Sequence, residues 1–317
     1  MSLILDALGR VLPVLLLFGL GAVLRRRAWL GSATVADLRR LVLTVTLPSA
    51  LFLTFLRVDL EARHLPIVAS VFGACVLVLI VGPALLRPFG VRSAYGAPLL
   101  TGFEAGMLGY AIYGGVFGQA DLYHFGIVDL GQVLYVFFVL ATVLVRRSTG
   151  VRPGLGPTAR QFVTTPVILA ILGGMLGHLV GLGDALASSP VLSSIPATLG
   201  LLGACTTPLI AIVIGYSTTL RAGALRAPSV TIAVRLAVWI TLAVAFDRLV
   251  VEGVLGLDRL FGAAVLTMAV LPPPFVMPLY MGPRATDDDR GYVTDALSVS
   301  TLATLVLFPA VAAAFSG

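Results

Sequence analysis

The sequence predicts an all-α membrane protein of ten transmembrane helices, in two five-helix halves related by inversion, with helices 4 and 9 interrupted. Three observations predict it. The chain is 58% hydrophobic and 11% charged; ten apolar windows are long enough to cross a bilayer; and two of them are ruptured inside, one by glycine and one by proline.

Ordinary soluble domains are about a quarter charged. A chain of 317 residues with so few charges and a mean hydropathy of +1.04 is an integral membrane protein. All 21 basic residues are arginine, a bias that points to genomic base composition and a bacterial source. The net charge of +6 is explained by membrane topology and requires no nucleic-acid partner. Cys75 and Cys205 stand in apolar segments without metal or redox spacing and read as small core residues. The N-terminus has no basic leader, carries Asp6 and meets Arg25, Arg26 and Arg27 after its apolar run, which reads as an uncleaved first span.

A hydrocarbon core of about 30 Å needs roughly 20 helical residues. Windows of that length place spans at 4–24, 35–56, 65–86, 93–117, 122–145, 162–182, 192–220, 230–251, 257–281 and 292–315. Arginines then set the orientation. Alternate loops carry Arg25 to Arg27, Arg87 and Arg92, then Arg146, Arg147, Arg152 and Arg160, and finally Arg221 and Arg226. The opposite loops hold Arg57, Arg63, Arg248 and Arg259, each pair offset by nearby acids. The positive-inside rule therefore puts both termini outside the plasma membrane, with the acidic loop at Asp287 to Asp289 dissenting.

The segment 146–160, rich in glycine, proline and charge, reads as a cytoplasmic linker between halves 1–145 and 161–317. Five spans per half is an odd number, so a repeat must be inverted. Faint echoes support duplication: Thr46-Leu47-Pro48 against Thr206-Thr207-Pro208, the glycine break against the proline break, and Gly118 against Gly282 after them.

The run 101–118 holds six glycines and Glu104. Glycine costs a helix about 1 kcal/mol relative to alanine, and a carboxylate at membrane depth costs roughly 2.5–3.5 kcal/mol. Pro272, Pro273 and Pro274 remove three backbone donors and end a helix locally. Freed backbone groups in hydrocarbon must be buried in protein or line a wet cavity. The interruption is then either a packed kink or a pair of half-helix ends, where an N-terminus offers positive dipole to an anion. Glu104 is either a solvated residue near the end of its span or a buried carboxyl that takes up and releases a proton.

Asp129 and Gln132 share a helical face, with Tyr135 a turn further on, and either cement packing or face a cavity. Asp295, Ser298 and Thr301 are spaced to line one face of the last span, beside Ser300. Arg235 reads as snorkelling to the surface. His178, among small residues, reads as structural, and His64 and His124 as loop residues. No metal cluster, phosphate loop or nucleophile motif is present, and the chain is expected to be neither an enzyme nor a cofactor carrier.

The segments EAGMLGYAIYGGVFG from Glu104, FGIVDLGQVLYVF from Phe125, TTPLIAIVIGYSTTL from Thr206, AVLPPPFVMPLY from Ala269 and LSVSTLATLVLFP from Leu297 resemble the auxin efflux carrier family. That resemblance implies ten helices in two inverted five-helix repeats, with helices 4 and 9 broken and crossing. It also implies an elevator-like transport domain on a dimerising scaffold, and substrates that are small organic anions such as malonate, malate or auxin. The family's crossing asparagine falls on Glu104 and its following proline on Ala111; Gly106 and Gly109 are then left to provide the break. Asp129 and Gln132 match polar positions of span 5, and Ser300 and Thr301 the serine-rich start of span 10.

The expected function is secondary active transport of a small organic anion by alternating access. Its expected site is the crossing region of Glu104, Gly106, Gly109, Pro272, Pro273 and Pro274. Glu104, Asp129, Gln132, Ser298, Ser300 and Thr301 are expected to serve substrate or proton coupling. The partners implied are the substrate, a proton or sodium ion, lipid and a second copy of the chain. Two alternatives stay open: a sodium-coupled carrier resembling the bile-acid symporters, separated by sodium dependence of uptake, and a membrane sensor that keeps the fold without turnover, separated by binding without counterflow.

Overall fold

The structure, a computed structural model, describes residues 2–57, 61–150, 154–218, 225–281 and 284–315. Arg152, Arg221 and Gly282, used above for topology and repeat, lie outside the described residues. The regular structure of the described chain is helical: α1 (Ser2–Arg26), α2 (Ser32–Phe55), α3 (Ala62–Phe89), α4 (Ala105–Phe117), α5 (Leu122–Thr149), α6 (Gly156–Val163), α7 (Pro166–Leu179), α8 (Pro190–Ser217), α9 (Arg226–Glu252), α10 (Arg259–Val270) and α11 (Asp287–Phe315), joined by turns, by short helical pieces such as Leu182–Ala187, and by two longer, largely non-helical stretches before α4 and after α10.

The count of ten spans is overturned. Among the described residues six helices (α2, α3, α5, α8, α9 and α11) are long and apolar enough to cross a membrane, and seven if α6 and α7, bent by 67°, count as one. No two clear inverted five-helix repeats are indicated among them. For the interrupted windows the physical reason is that a hydropathy window counts apolar side chains and is blind to helix continuity. Windows 93–117 and 257–281 are apolar along their length, yet they yield only the short helices α4 and α10.

The interior and the lipid face follow from residue placement. Helix α3 is the least buried of the six, and Leu77, Ile80 and Val81 are exposed along it, as an apolar solvent permits. Half of the apolar stretch of α11 is buried, and α11 packs against α1, α9 and α10. The second half of α2 packs against α7 and the first half of α8, while the second half of α8 lies along α1 and α4. Four stretches, Val42–Thr46, Ala105–Gly109, Val136–Leu140 and Asp247–Glu252, adopt wider π-helical turns. Such bulges loosen the backbone ladder and recur at functional sites.

Asp258 fixes the start of α10. Its Oδ1 accepts from the Leu260 and Phe261 amides at 2.9 and 3.3 Å, and its Oδ2 lies 3.0 Å from Nε2 of His124. His124 is therefore a buried partner of a helix cap, not the idle loop residue expected.

Candidate functional site

Two non-helical stretches meet in the protein interior. The first runs from the short turn Gly96–Leu99 to Glu104, and the second from Leu271, extended at φ −68° and ψ 152°, to Val276. Gly102 sits at φ +64°, a left-handed conformation that glycine adopts without steric cost, and Pro274 packs against it where a Cβ would stand. Gly102 thus makes the first turn away from helix. Gly106 and Gly109, expected to provide it, lie in the π-helical turn that follows. Gly109 serves close packing: a Cβ there would run into the ring of Phe125 and Leu271, whereas a Cβ on Gly106 would meet open space.

The backbone groups freed by these interruptions are satisfied from a small set of buried side chains. Arg235, with no exposed surface, donates to the carbonyls of Leu99 (3.1 Å), Gly102 and Leu271 (3.2 and 3.3 Å), and its guanidinium lies 4.8 Å from the Phe103 ring centre. Trp239 Nε1 donates to the Leu100 carbonyl at 2.7 Å, and Thr304 to that of Val270. Arg235 was expected to snorkel; instead it ties the two stretches together, because the five N–H groups of a guanidinium suit clustered carbonyls.

Glu104 does the corresponding work for the donors. Its Oε1 accepts from the Met107 amide at 3.1 Å, capping α4, and its Oε2 accepts from the Phe275 amide in the other stretch. Its own amide donates to the Pro272 carbonyl at 2.8 Å. Glu104 is buried, at 8% exposure, and is not a solvated residue near the end of its span. Amides of the kind a half-helix end would turn toward an anion are here held by a carboxylate that the chain itself supplies.

Asp129 and Gln132 extend this bracing. Gln132 accepts from the Phe103 amide at 3.2 Å and donates to Asp129 at 2.6 Å, while Tyr110 donates to the other Asp129 oxygen at 2.9 Å. All are buried.

A cavity of about 150 Å³ opens beside Phe275, lined by Arg39, Ser217, Thr294, Ser298 and Thr301 among others. Arg39 reaches Ser217 Oγ at 3.4 Å, and its buried Nε has no partner among the described residues. Thr301 donates to the Leu297 carbonyl of its own helix at 2.8 Å, whereas Ser298 makes no protein hydrogen bond among the described residues. Ser300 is wholly buried and does not line this cavity. The structure therefore separates the expected site residues. Glu104, Gly109, Pro272, Pro273 and Pro274 are packed at the interruptions; Asp129 and Gln132 brace them; Ser298 and Thr301 face open space with Arg39.

Sequence reasoning missed Arg39. Its signal was a basic residue inside the apolar window 35–56, which a census of loop arginines passes over.

A buried polar junction between two short apolar helices thus lies next to a cavity lined by a cation and hydroxyls. No protein-family model matches the chain. An uncharacterized transporter of Methanothermobacter thermautotrophicus is 27% identical over 216 residues, covering 67% of this chain and 68% of the relative. The chain is an all-helical, membrane-spanning protein, and it resembles that uncharacterized transporter.

Proposed function

We propose that this protein is a secondary active transporter of small organic anions, of the auxin efflux carrier type, working by elevator-like alternating access. The drive is the proton gradient or the membrane potential. On this reading it acts as a homodimer in a bacterial plasma membrane with both termini outside, and is a carrier, not an enzyme, with no cofactor.

The observation that carries the reading is the cavity shared by Arg39, Ser298 and Phe275 beside the Glu104 junction. A guanidinium and free hydroxyls in a space of about 150 Å³ suit a carboxylate of a few carbons. Glu104 supplies the coupling. While it is ionised its charge holds the Phe275 and Met107 amides. A proton taken up by the carboxyl weakens those charge-assisted bonds and leaves the Phe275 amide to a substrate oxygen, so that proton and anion occupy the site together.

Uptake of labelled mono- and dicarboxylates into proteoliposomes tests this, under an imposed pH gradient and with sodium present or absent. Uptake is expected to rise with an inward proton gradient, to ignore sodium, and to show a KM raised about tenfold in Arg39→Gln, as loss of one charged hydrogen bond predicts. An unaltered KM in that variant, or uptake that requires sodium, would overturn the anion site or the proton drive respectively.

A further inference from the structure

A second polar cavity, of about 720 Å³, lies apart from the carrier site, where the chain leaving α3 meets the end of α5. Arg87, Arg92 and Arg147 line it, together with Ser93 and the apolar Leu86 and Val91. No carboxylate lines it, and among the described residues none of the three guanidiniums makes a hydrogen bond or an ion pair. All three are exposed. Like charges gathered around a common space repel one another unless an anion sits among them.

The surface leading to the cavity says which anion. Leu77, Ile80, Val81 and Ala84 of α3 are exposed at positions i, i+3, i+4 and i+7, an apolar stripe on one helical face. Arg87 follows Ala84 by three residues, at the end of that stripe, and Phe89 beyond it is 55% exposed. Hydrocarbon along the stripe and a phosphate at its arginine end is the layout of a phospholipid, not of a free anion.

We propose that Arg87, Arg92 and Arg147 form a binding site for the phosphate headgroup of an anionic phospholipid, whose acyl chains lie along the exposed stripe of α3. Guanidinium groups pair with phosphate oxygens through two parallel bonds, and basic pockets between membrane helices hold anionic headgroups. The site uses none of the residues of the carrier reading.

The test is binding by the purified full-length protein in detergent, read by thermal shift and by native mass spectrometry, with phosphatidylglycerol, phosphatidylcholine or inorganic phosphate added. At tenfold excess over Kd, phosphatidylglycerol is expected to raise the melting temperature by about 3 °C, and the other two to leave it unchanged. The triple variant Arg87→Gln, Arg92→Gln, Arg147→Gln is expected to lose about a hundredfold in affinity, whereas Arg26→Gln with Arg27→Gln, an exposed basic pair elsewhere, keeps wild-type affinity. Should the triple variant fail to fold, Arg87→Gln and Arg92→Gln are read singly, each with an expected loss of about fivefold. Equal response to phosphatidylcholine, equal response to phosphate alone, or undiminished phosphatidylglycerol affinity in the variants overturns the proposal.

Discussion

The Phe275 amide donates to the Glu104 carboxylate across 171 positions of sequence, and three residues before Phe275 the Pro272 carbonyl accepts from the Glu104 amide at 2.8 Å. One residue thus fastens two interrupted stretches by both its side chain and its backbone. In Glu104→Gln the side chain keeps one acceptor and presents an N–H₂ to a donor on the other arm. The expected cost is about 1–3 kcal/mol of stability. Transport by that variant is expected to lose the pH dependence that Glu104 supplies while the protein remains folded, because an amide at position 104 takes up no proton. Initial uptake rates at two pH values, set beside a melting curve, check this; a wild-type pH profile in Glu104→Gln would count against the coupling role.

Arg235 is the larger structural commitment. Its removal in Arg235→Leu leaves the carbonyls of Leu99, Gly102 and Leu271 without partners in the interior. Each buried carbonyl left without a donor costs about 1–3 kcal/mol. The variant is expected to be nearly absent from the folded membrane fraction by fluorescence-detected gel filtration. Arg235→Lys keeps the charge but not the planar fork that spans two stretches, and should fall between. Trp239→Phe loses only the bond to Leu100 and is expected to cost about 1 kcal/mol. Wild-type melting of Arg235→Leu would sink the clamp.

These residues mark what could and could not be read from sequence. Membrane residence was legible because 58% hydrophobic residues with so little charge leave no soluble solution. That backbone irregularity attends the glycine-rich and proline-rich runs was legible too, since glycine and proline act on φ/ψ locally. The span count failed for the converse reason: continuity depends on where a helix stops, and the apolar windows run past the stops at Leu99 and Val270. Which glycine turns the chain was also beyond the pattern. Gly102, Gly106 and Gly109 are equivalent on paper, and only the closeness of Pro274, Phe125 and Leu271 tells them apart. Arg235 read as a charge near a membrane edge, and Arg39 was passed over altogether. Their partners are distant in sequence, and local pattern carries no information about them.

The glycines supply a paired prediction. Gly109→Ala puts a methyl group against Phe125 and Leu271, an overpacked contact expected to cost about 1–3 kcal/mol. Gly106→Ala adds the same methyl to open space and restricts the unfolded chain, so its stability is expected to change by less than about 1 kcal/mol, in the stabilising direction. The difference in melting temperature between the two variants measures the close approach directly. Equal melting temperatures would mean that the chain around Gly109 yields at no cost.

Ser298 and Ser300 are two residues apart on α11, yet they occupy different chemical environments. Ser298 lines the cavity with Arg39 and has no protein partner among the described residues, so its hydroxyl is a donor available to a bound carboxylate. Ser300 is fully buried and its Oγ lacks any partner among the described residues, which makes the hydroxyl a cost to the fold. Ser298→Ala is therefore expected to raise KM about threefold to tenfold, the loss of one hydrogen bond to an anion, with little change in melting temperature. Ser300→Ala is expected to leave KM alone and to be neutral or stabilising by about 1 kcal/mol, because an unpaired polar atom leaves the interior. The opposite assignment, KM moved by Ser300→Ala and untouched by Ser298→Ala, would place the substrate deeper in the protein, on the far side of α11 from Arg39.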